Sequence, residues 1–226
     1  MAKGFPVGAL GQHAPRWLAG RWFTALWLTL LLAGGAAQAA ERPVLLVMGD
    51  SLSAAYGIEQ GTGWVSLLQA RLDGKARVVN ASISGETSSG AAARLPDLLG
   101  QHEPDIVVLE LGGNDGLRGL PPRQFETHMA DMIEASQASG AEVLLLGIDI
   151  PPNYGRAYRD AFTGVYTRLA DDYDLSLVPF LLEGVVLEDG LMQSDGIHPT
   201  AAAQPQILEN VWPILEPMIE EELNHG

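Results

Sequence analysis

The sequence predicts an α/β domain built on a five-stranded parallel sheet with helices on both faces. Two observations carry this. Short apolar runs alternate with longer amphipathic stretches from about residue 40 onward, the pattern of strand–helix units that build a parallel sheet. The apolar runs are continuous rather than alternating, as in strands buried on both faces. No internal repeat, low-complexity tract or linker interrupts the pattern.

In order, strands are expected over Val44–Met48, Ala76–Asn80, Asp105–Leu111, Glu142–Ile148 and Leu175–Pro179. Helices are expected between them, over Trp64–Leu72, Ser89–Leu99, Arg123–Ser139 and Gly155–Tyr173. In Arg123–Ser139 the residues Phe125, Met129, Met132 and Ile133 fall on one face, and Gly140 follows as a stop. A last helix is expected from about Thr200 to Leu223. Pro205, Pro213 and Pro217 are expected to break or kink it.

The first 39 residues read as a cleaved secretory signal peptide. Lys3, Arg16 and Arg21 give a positive start, Trp22–Leu32 is apolar, and Ala37-Gln38-Ala39 is a small-x-small cleavage site. The apolar run is shorter than the ~20 residues that span a bilayer. No Arg-Arg pair precedes it, so a Sec-type leader is expected, and the protein is expected in the periplasm or outside the cell. Residues 40–226 then suffice for one domain with a sizeable core and are short for two.

The chain has no cysteine, which excludes disulfides, thiol catalysis and Cys-based metal sites. Its formal charge is -15, and removing the three basic residues of the leader makes it more negative still. Such a field repels nucleic acid and anionic membrane surfaces. Neither class of partner is expected, nor is a stable membrane anchor once the leader is gone.

Function in a parallel sheet gathers at the carboxyl ends of its strands. Ser51, Gly85 and Asn114 each lie just past such an end. Ser51 leaves the first strand in Gly49-Asp50-Ser51-Leu52. A serine is a poor nucleophile until a base takes its proton. His198 is the candidate base, because Asp195 stands three residues before it and can hold its ring from the same loop. The other histidines lack such a partner: His13 is in the leader, His102 in a polar connection, His128 inside a helix and His225 at the C-terminus. Oxyanion donors are expected from the Ser51 N–H, the Gly85 N–H and the Asn114 side chain. Asp50 reads as structural, satisfying amides of the turn beside the nucleophile. Leu117, Leu120, Ile150, Tyr154 and Met192 are candidates for an acyl groove. Gly116–Pro122, rich in glycine and proline, is the segment expected to move.

Other chemistries fit less well. Position 53 is serine, so Gly-x-Ser-x-Gly fails. No Gly-x-Gly-x-x-Gly or Gly-Lys-Ser/Thr loop follows the first strand. Asp50, Asp195 and His198 form no compact metal-ligand motif.

The four blocks Gly49-Asp50-Ser51-Leu52-Ser53, Gly85, Gly112-Gly113-Asn114-Asp115 and Asp195-Gly196-Ile197-His198-Pro199 stand in the order of the SGNH (GDSL-type) hydrolases. The chain resembles that family, and within it the bacterial thioesterase I/arylesterase subgroup. The segments Asn80–Gly85 and Glu110–Gly119 carry the closer likeness. The resemblance implies a flavodoxin-like three-layer α/β/α sandwich, with Ser51 as nucleophile, His198 as base, Asp195 as its orienting acid, and no metal or cofactor. It implies hydrolysis of aryl and short-to-medium acyl esters, thioesters and lysophospholipids. A carbohydrate ester deacetylase and a silent lipid-binding module are the alternatives. The first needs a shallow groove with sugar-stacking aromatics, and Trp64 and Trp212 sit at helix positions and read as core; the intact set of reactive residues argues against the second.

Overall fold

The computed structural model describes residues 1–6 and 42–225. The expected leader lies almost wholly outside the described residues, and residues 1–6 carry no regular secondary structure. Among the described residues no helix is long and apolar enough to cross a membrane. The compact unit Glu41–Gly226 carries the sheet and every helix described below.

Five strands, β1 (Val44–Gly49), β2 (Arg77–Asn80), β3 (Ile106–Glu110), β4 (Glu142–Leu146) and β5 (Ser176–Val178), form one sheet in the order β2-β1-β3-β4-β5. Every pairing is parallel. Among the described residues six α-helices connect and flank them: α1 (Trp64–Leu72), α2 (Ser88–His102), α3 (Gly113–Leu117), α4 (Pro122–Ala138), α5 (Arg156–Tyr173) and α6 (Gln204–His225). The strand order reverses at β1, so right-handed crossovers send α1 to one face and α2, α4 and α5 to the other. The packing agrees: α1 lies against α6, while α2, α4 and α5 lie side by side. The result is the three-layer sandwich expected from the sequence.

The central strands carry the core. Leu45, Leu46, Val47 and Met48 of β1 and Ile106 to Leu109 of β3 are fully buried, as are Trp64, Phe125 and Phe162 from the helices. Each such side chain contributes roughly 1.5–3 kcal/mol relative to exposure. The edge strand β2 is only half-buried.

Two expectations need correction. The prolines do not break the last helix, since α6 runs unbroken through Pro213 and Pro217. Both are exposed and four residues apart, so the carbonyls they orphan face water. The opposite face, with Ile207, Leu208, Val211, Leu215, Met218 and Ile219, stays buried and holds the helix onto the sheet. Pro205 sits in the first turn, where a missing N–H costs nothing. The second correction is α3, a short helix where the glycine-rich sequence reads as loop.

Candidate active site

The strand order reverses at β1, and the carboxyl ends of β1, β2 and β3 at such a point are the usual place for a site in an open parallel sheet. The chain after β1 coils immediately: Ala54 N–H donates to Asp50 O and Tyr56 N–H to Ser51 O. Ser51 therefore opens a helical turn, where its own N–H has no intrahelical acceptor. The chain after β2 is tied to this turn, with Ile83 N–H donating to Gly49 O at 3.1 Å. Asn80 adds a side-chain bond to Ser53 O at 2.8 Å.

The segment Leu191–Thr200 doubles back as a small hairpin. Gln193 N–H donates to His198 O at 2.7 Å and Thr200 N–H to Leu191 O at 2.8 Å, with Met192 bridged to Pro199. At its tip, Asp195 Oδ1 accepts the N–H groups of Ile197 and His198. Its other oxygen accepts a hydrogen bond from His198 Nδ1–H at 2.7 Å. The His198 N–H, then its ring, hold the Asp195 pKa down to about 2. With Nδ1–H committed to a carboxylate, Nε2 carries the lone pair. Nε2 stands 2.9 Å from Ser51 Oγ, in place to accept its proton. Ser51, His198 and Asp195 are thus brought together as the sequence predicts, with the Tyr56 ring tilted over the imidazole at 4.4 Å.

Asn114, near the start of α3, donates from Nδ2 to Asp50 Oδ2 at 2.9 Å. Asp50 also accepts the Leu52 N–H on Oδ1, so it does hold the turn that carries Ser51. It is nearly fully buried, and burial raises its pKa to about 6. Beneath it lies Glu110, at the end of β3, which no sequence signal singles out. Glu110 Oε2 accepts the Asp50 N–H at 3.2 Å and the Ser53 hydroxyl at 2.8 Å. Complete burial, then the charge of Asp50, push its pKa well above the carboxylate range. Burial therefore favours the protonated form of Glu110, under the turn that carries Ser51. Gly85 is exposed on the loop after β2, and the Arg118 guanidinium holds its carbonyl at 3.0 Å.

The groove candidates divide. Ile150 is 1% exposed and packs into the core beneath Gly116, so it cannot wall a groove in this conformation. Tyr154 is half-buried and donates its hydroxyl to Leu117 O at 2.6 Å, bracing the segment after Asn114. Tyr158 does the same for Leu120 O at 2.8 Å. Leu117, Leu120 and Met192 are half-buried. Tyr56, Ile83 and Ile197 are exposed apolar side chains on the loops that carry Ser51, Gly85 and His198, and the sequence reading gives none of them a role. The same holds for Ser88, whose hydroxyl lies between Asp115 and His128. Among the described residues no cluster of three or more His, Asp or Glu could hold a metal ion.

An acylhydrolase of the GDSL type is the class that this fold and this constellation define. The GDSL-like Lipase/Acylhydrolase family model matches residues 47–204, and the chain belongs to that family. It is 54% identical over 198 residues to Esterase TesA of Pseudomonas aeruginosa, covering 84% of this chain and 98% of that one. It is 45% identical over 202 residues to Thioesterase 1/protease 1/lysophospholipase L1 of Escherichia coli, covering 89% and 96%. A crystal structure of TesA superimposes with a TM-score of 0.75 at 57% identity, covering 77% of this chain and 99% of that one.

Proposed function

We propose that this protein is a broad-specificity serine esterase that cleaves carboxylic ester and thioester bonds through an acyl-enzyme on Ser51. The observation that carries the reading is the line from Asp195 Oδ2 through His198 to Ser51 Oγ, with contacts of 2.7 and 2.9 Å.

His198 Nε2 takes the Ser51 proton as Oγ attacks the acyl carbonyl. The developing oxyanion is met by the N–H groups of Ser51 and Gly85 and by the second Nδ2 proton of Asn114, the first being held by Asp50. The imidazolium, stabilised by the ionised Asp195, returns its proton to the departing alkoxide or thiolate. Water then attacks the acyl-enzyme with His198 again as base, and Ser51 is regenerated. Nothing in this cycle requires a metal or cofactor.

The names of the relatives support esters, thioesters and lysophospholipids as substrates. A leader over residues 1–39 would deliver the domain to the periplasm or beyond, where acyl-CoA is scarce, so esters and lysophospholipids rank first. Leu117, Leu120 and Met192 are proposed to contact the acyl chain.

The test is hydrolysis of p-nitrophenyl butyrate, palmitoyl-CoA and lysophosphatidylcholine by wild type and Ser51→Ala. Activity lost with Ser51 is expected, and the ratio among substrates ranks the preferences. Activity that survives Ser51→Ala overturns the mechanism.

A further inference from the structure

Ser51 and His198 are 147 positions apart, yet their side chains meet at 2.9 Å. Asp195 orients the imidazole only within the hairpin that both residues share. It does nothing to hold that hairpin against the turn carrying Ser51. Something else must set the distance across the gap.

A hairpin side chain spans it by hydrogen bonds. Gln193 sits in the hairpin, five residues before His198, and its Nε2 donates to two carbonyls at once. One is Tyr56 O, on the turn that begins at Ser51, at 2.9 Å. The other is Pro199 O, next to His198, at 3.0 Å. The Gln193 backbone N–H meanwhile holds His198 O at 2.7 Å. Tyr56 is itself tied back to the nucleophile, through its N–H to Ser51 O at 3.1 Å, and its ring covers His198. The far side of the bridge is shaped to receive the amide: Gly57 has φ +73°, and a Cβ there would lie 2.4 Å from Gln193 Oε1.

We propose that Gln193 is a positioning residue that sets the Ser51–His198 register, by holding the Tyr56 and Pro199 carbonyls on one amide nitrogen. The proposal rests on the reading of Ser51 as nucleophile and His198 as base. The residue type follows from the geometry. Two carbonyls need two protons on one atom, which a neutral amide supplies. Glutamate has the length but turns an acceptor toward both oxygens. Leucine fills the space and donates nothing.

Kinetics separate a role in register from mere stability. A misplacement of about 1 Å between reacting groups costs on the order of 10²-fold in rate. Gln193→Leu and Gln193→Ala should therefore lower kcat and the fluorophosphonate inactivation rate by about 10-fold or more. KM should hold within about twofold, because Gln193 touches the catalytic loops rather than the acyl chain. Gly57→Ala should give the same loss by displacing the amide. On a Gln193→Ala background the further loss in kcat should be smaller than in wild type, because the amide it displaces is gone and only the strain of a β-carbon at positive φ remains.

The assay is p-nitrophenyl butyrate hydrolysis by the full chain, with active sites titrated so that unfolded protein is not counted. Ser51→Ala runs beside it. If Ser51→Ala is inert while Gln193→Leu, Gln193→Ala and Gly57→Ala keep wild-type kcat per active site, the register role fails and the serine mechanism stands. A lower melting temperature with unchanged kcat overturns it equally, since that marks structure alone. If Ser51→Ala stays active, the underlying reading fails and takes this proposal with it.

Discussion

Asn114 donates one of its two Nδ2 protons to Asp50 Oδ2 at 2.9 Å, so the residue preceding Ser51 decides which way the amide faces. A carboxylate accepts only. It therefore fixes nitrogen rather than oxygen toward the turn, and the remaining Nδ2 proton stays available to a substrate oxyanion. Removing a single oxyanion donor costs roughly 10²–10³ in kcat, and that is the expectation for Asn114→Ala. Asp50→Asn should come close to it, because an amide at position 50 can set a donor against a donor and turn Asn114 over. The double variant should be no worse than the poorer single one, measured as kcat on p-nitrophenyl butyrate. A wild-type kcat for Asp50→Asn would show that the amide is oriented from elsewhere.

The same loop is anchored from its other side by Asp115. Both Asp115 and Ser88 are buried, and the aspartate accepts the Ser88 N–H at 2.9 Å and its hydroxyl at 2.6 Å. Ser88 lies three residues past Gly85, and Asp115 one past Asn114. This one carboxylate thus joins the two loops from which oxyanion donors are expected, while His128 Nδ1 approaches the serine hydroxyl at 3.1 Å from α4. Asp115→Ala strands a buried N–H and a buried hydroxyl, so about 2–4 kcal/mol of stability should go. The rate per folded molecule should fall too, as the loops lose their tie. Urea unfolding and titrated kcat read both quantities. No change in either would make the link inert.

How much of this was legible in the sequence depends on how local the cause is. Asp195 and His198 are three residues apart, so a turn alone brings them together, and their partnership could be read directly. The buried strands announce themselves by unbroken apolar runs such as Val44–Met48, and the ends of those runs place Ser51 and Asn114. Gln193, Glu110 and Ser88 could not be found that way. Their roles depend on partners 137, 57 to 60, and 27 residues distant, and polar residues beside a motif carry no periodic signal. Pro213 and Pro217 misled for a related reason. Whether a proline breaks a helix depends on which face it occupies, and the face is set by what the helix packs against.

Ile150 was hidden from the sequence in the same way, and its packing can be tested. A Cβ built on Gly116 would lie 1.9 Å from Ile150 Cδ1, so the glycine is the space into which the isoleucine packs. Gly116→Ala should cost about 1–3 kcal/mol by overpacking. Ile150→Ala should cost about 2–5 kcal/mol through the cavity it leaves. Because the two side chains would compete for one space, the double variant should be more stable than the sum of the single losses allows. Denaturant midpoints of the four proteins complete the cycle. Strict additivity would place Ile150 away from Gly116 in solution, and a changed KM for long acyl esters would return it to the groove.

Stability should also depend on pH, through carboxylates whose shifts have opposite signs. The folded-state pKa of Asp195 is depressed to about 2 from 3.8, so its contribution to stability is present above about pH 4 and is lost as pH falls through about 2. Asp50 goes the other way. Its folded pKa is raised to about 6 from 3.8, so the stability it contributes is full below about pH 4 and is lost as pH rises through about 6. Glu110, raised by burial and by Asp50, has the same sign. The formal charge of -15 adds self-repulsion that also grows as carboxylates ionise. The urea midpoint should therefore be higher at pH 5.5 than at pH 8. High salt separates the two contributions, since it screens charges at the surface and reaches buried ones far less. The part of the drop that survives 1 M salt belongs to the buried pair, and a midpoint higher at pH 8 in high salt would exclude a buried, reluctantly ionised Asp50 beside Ser51.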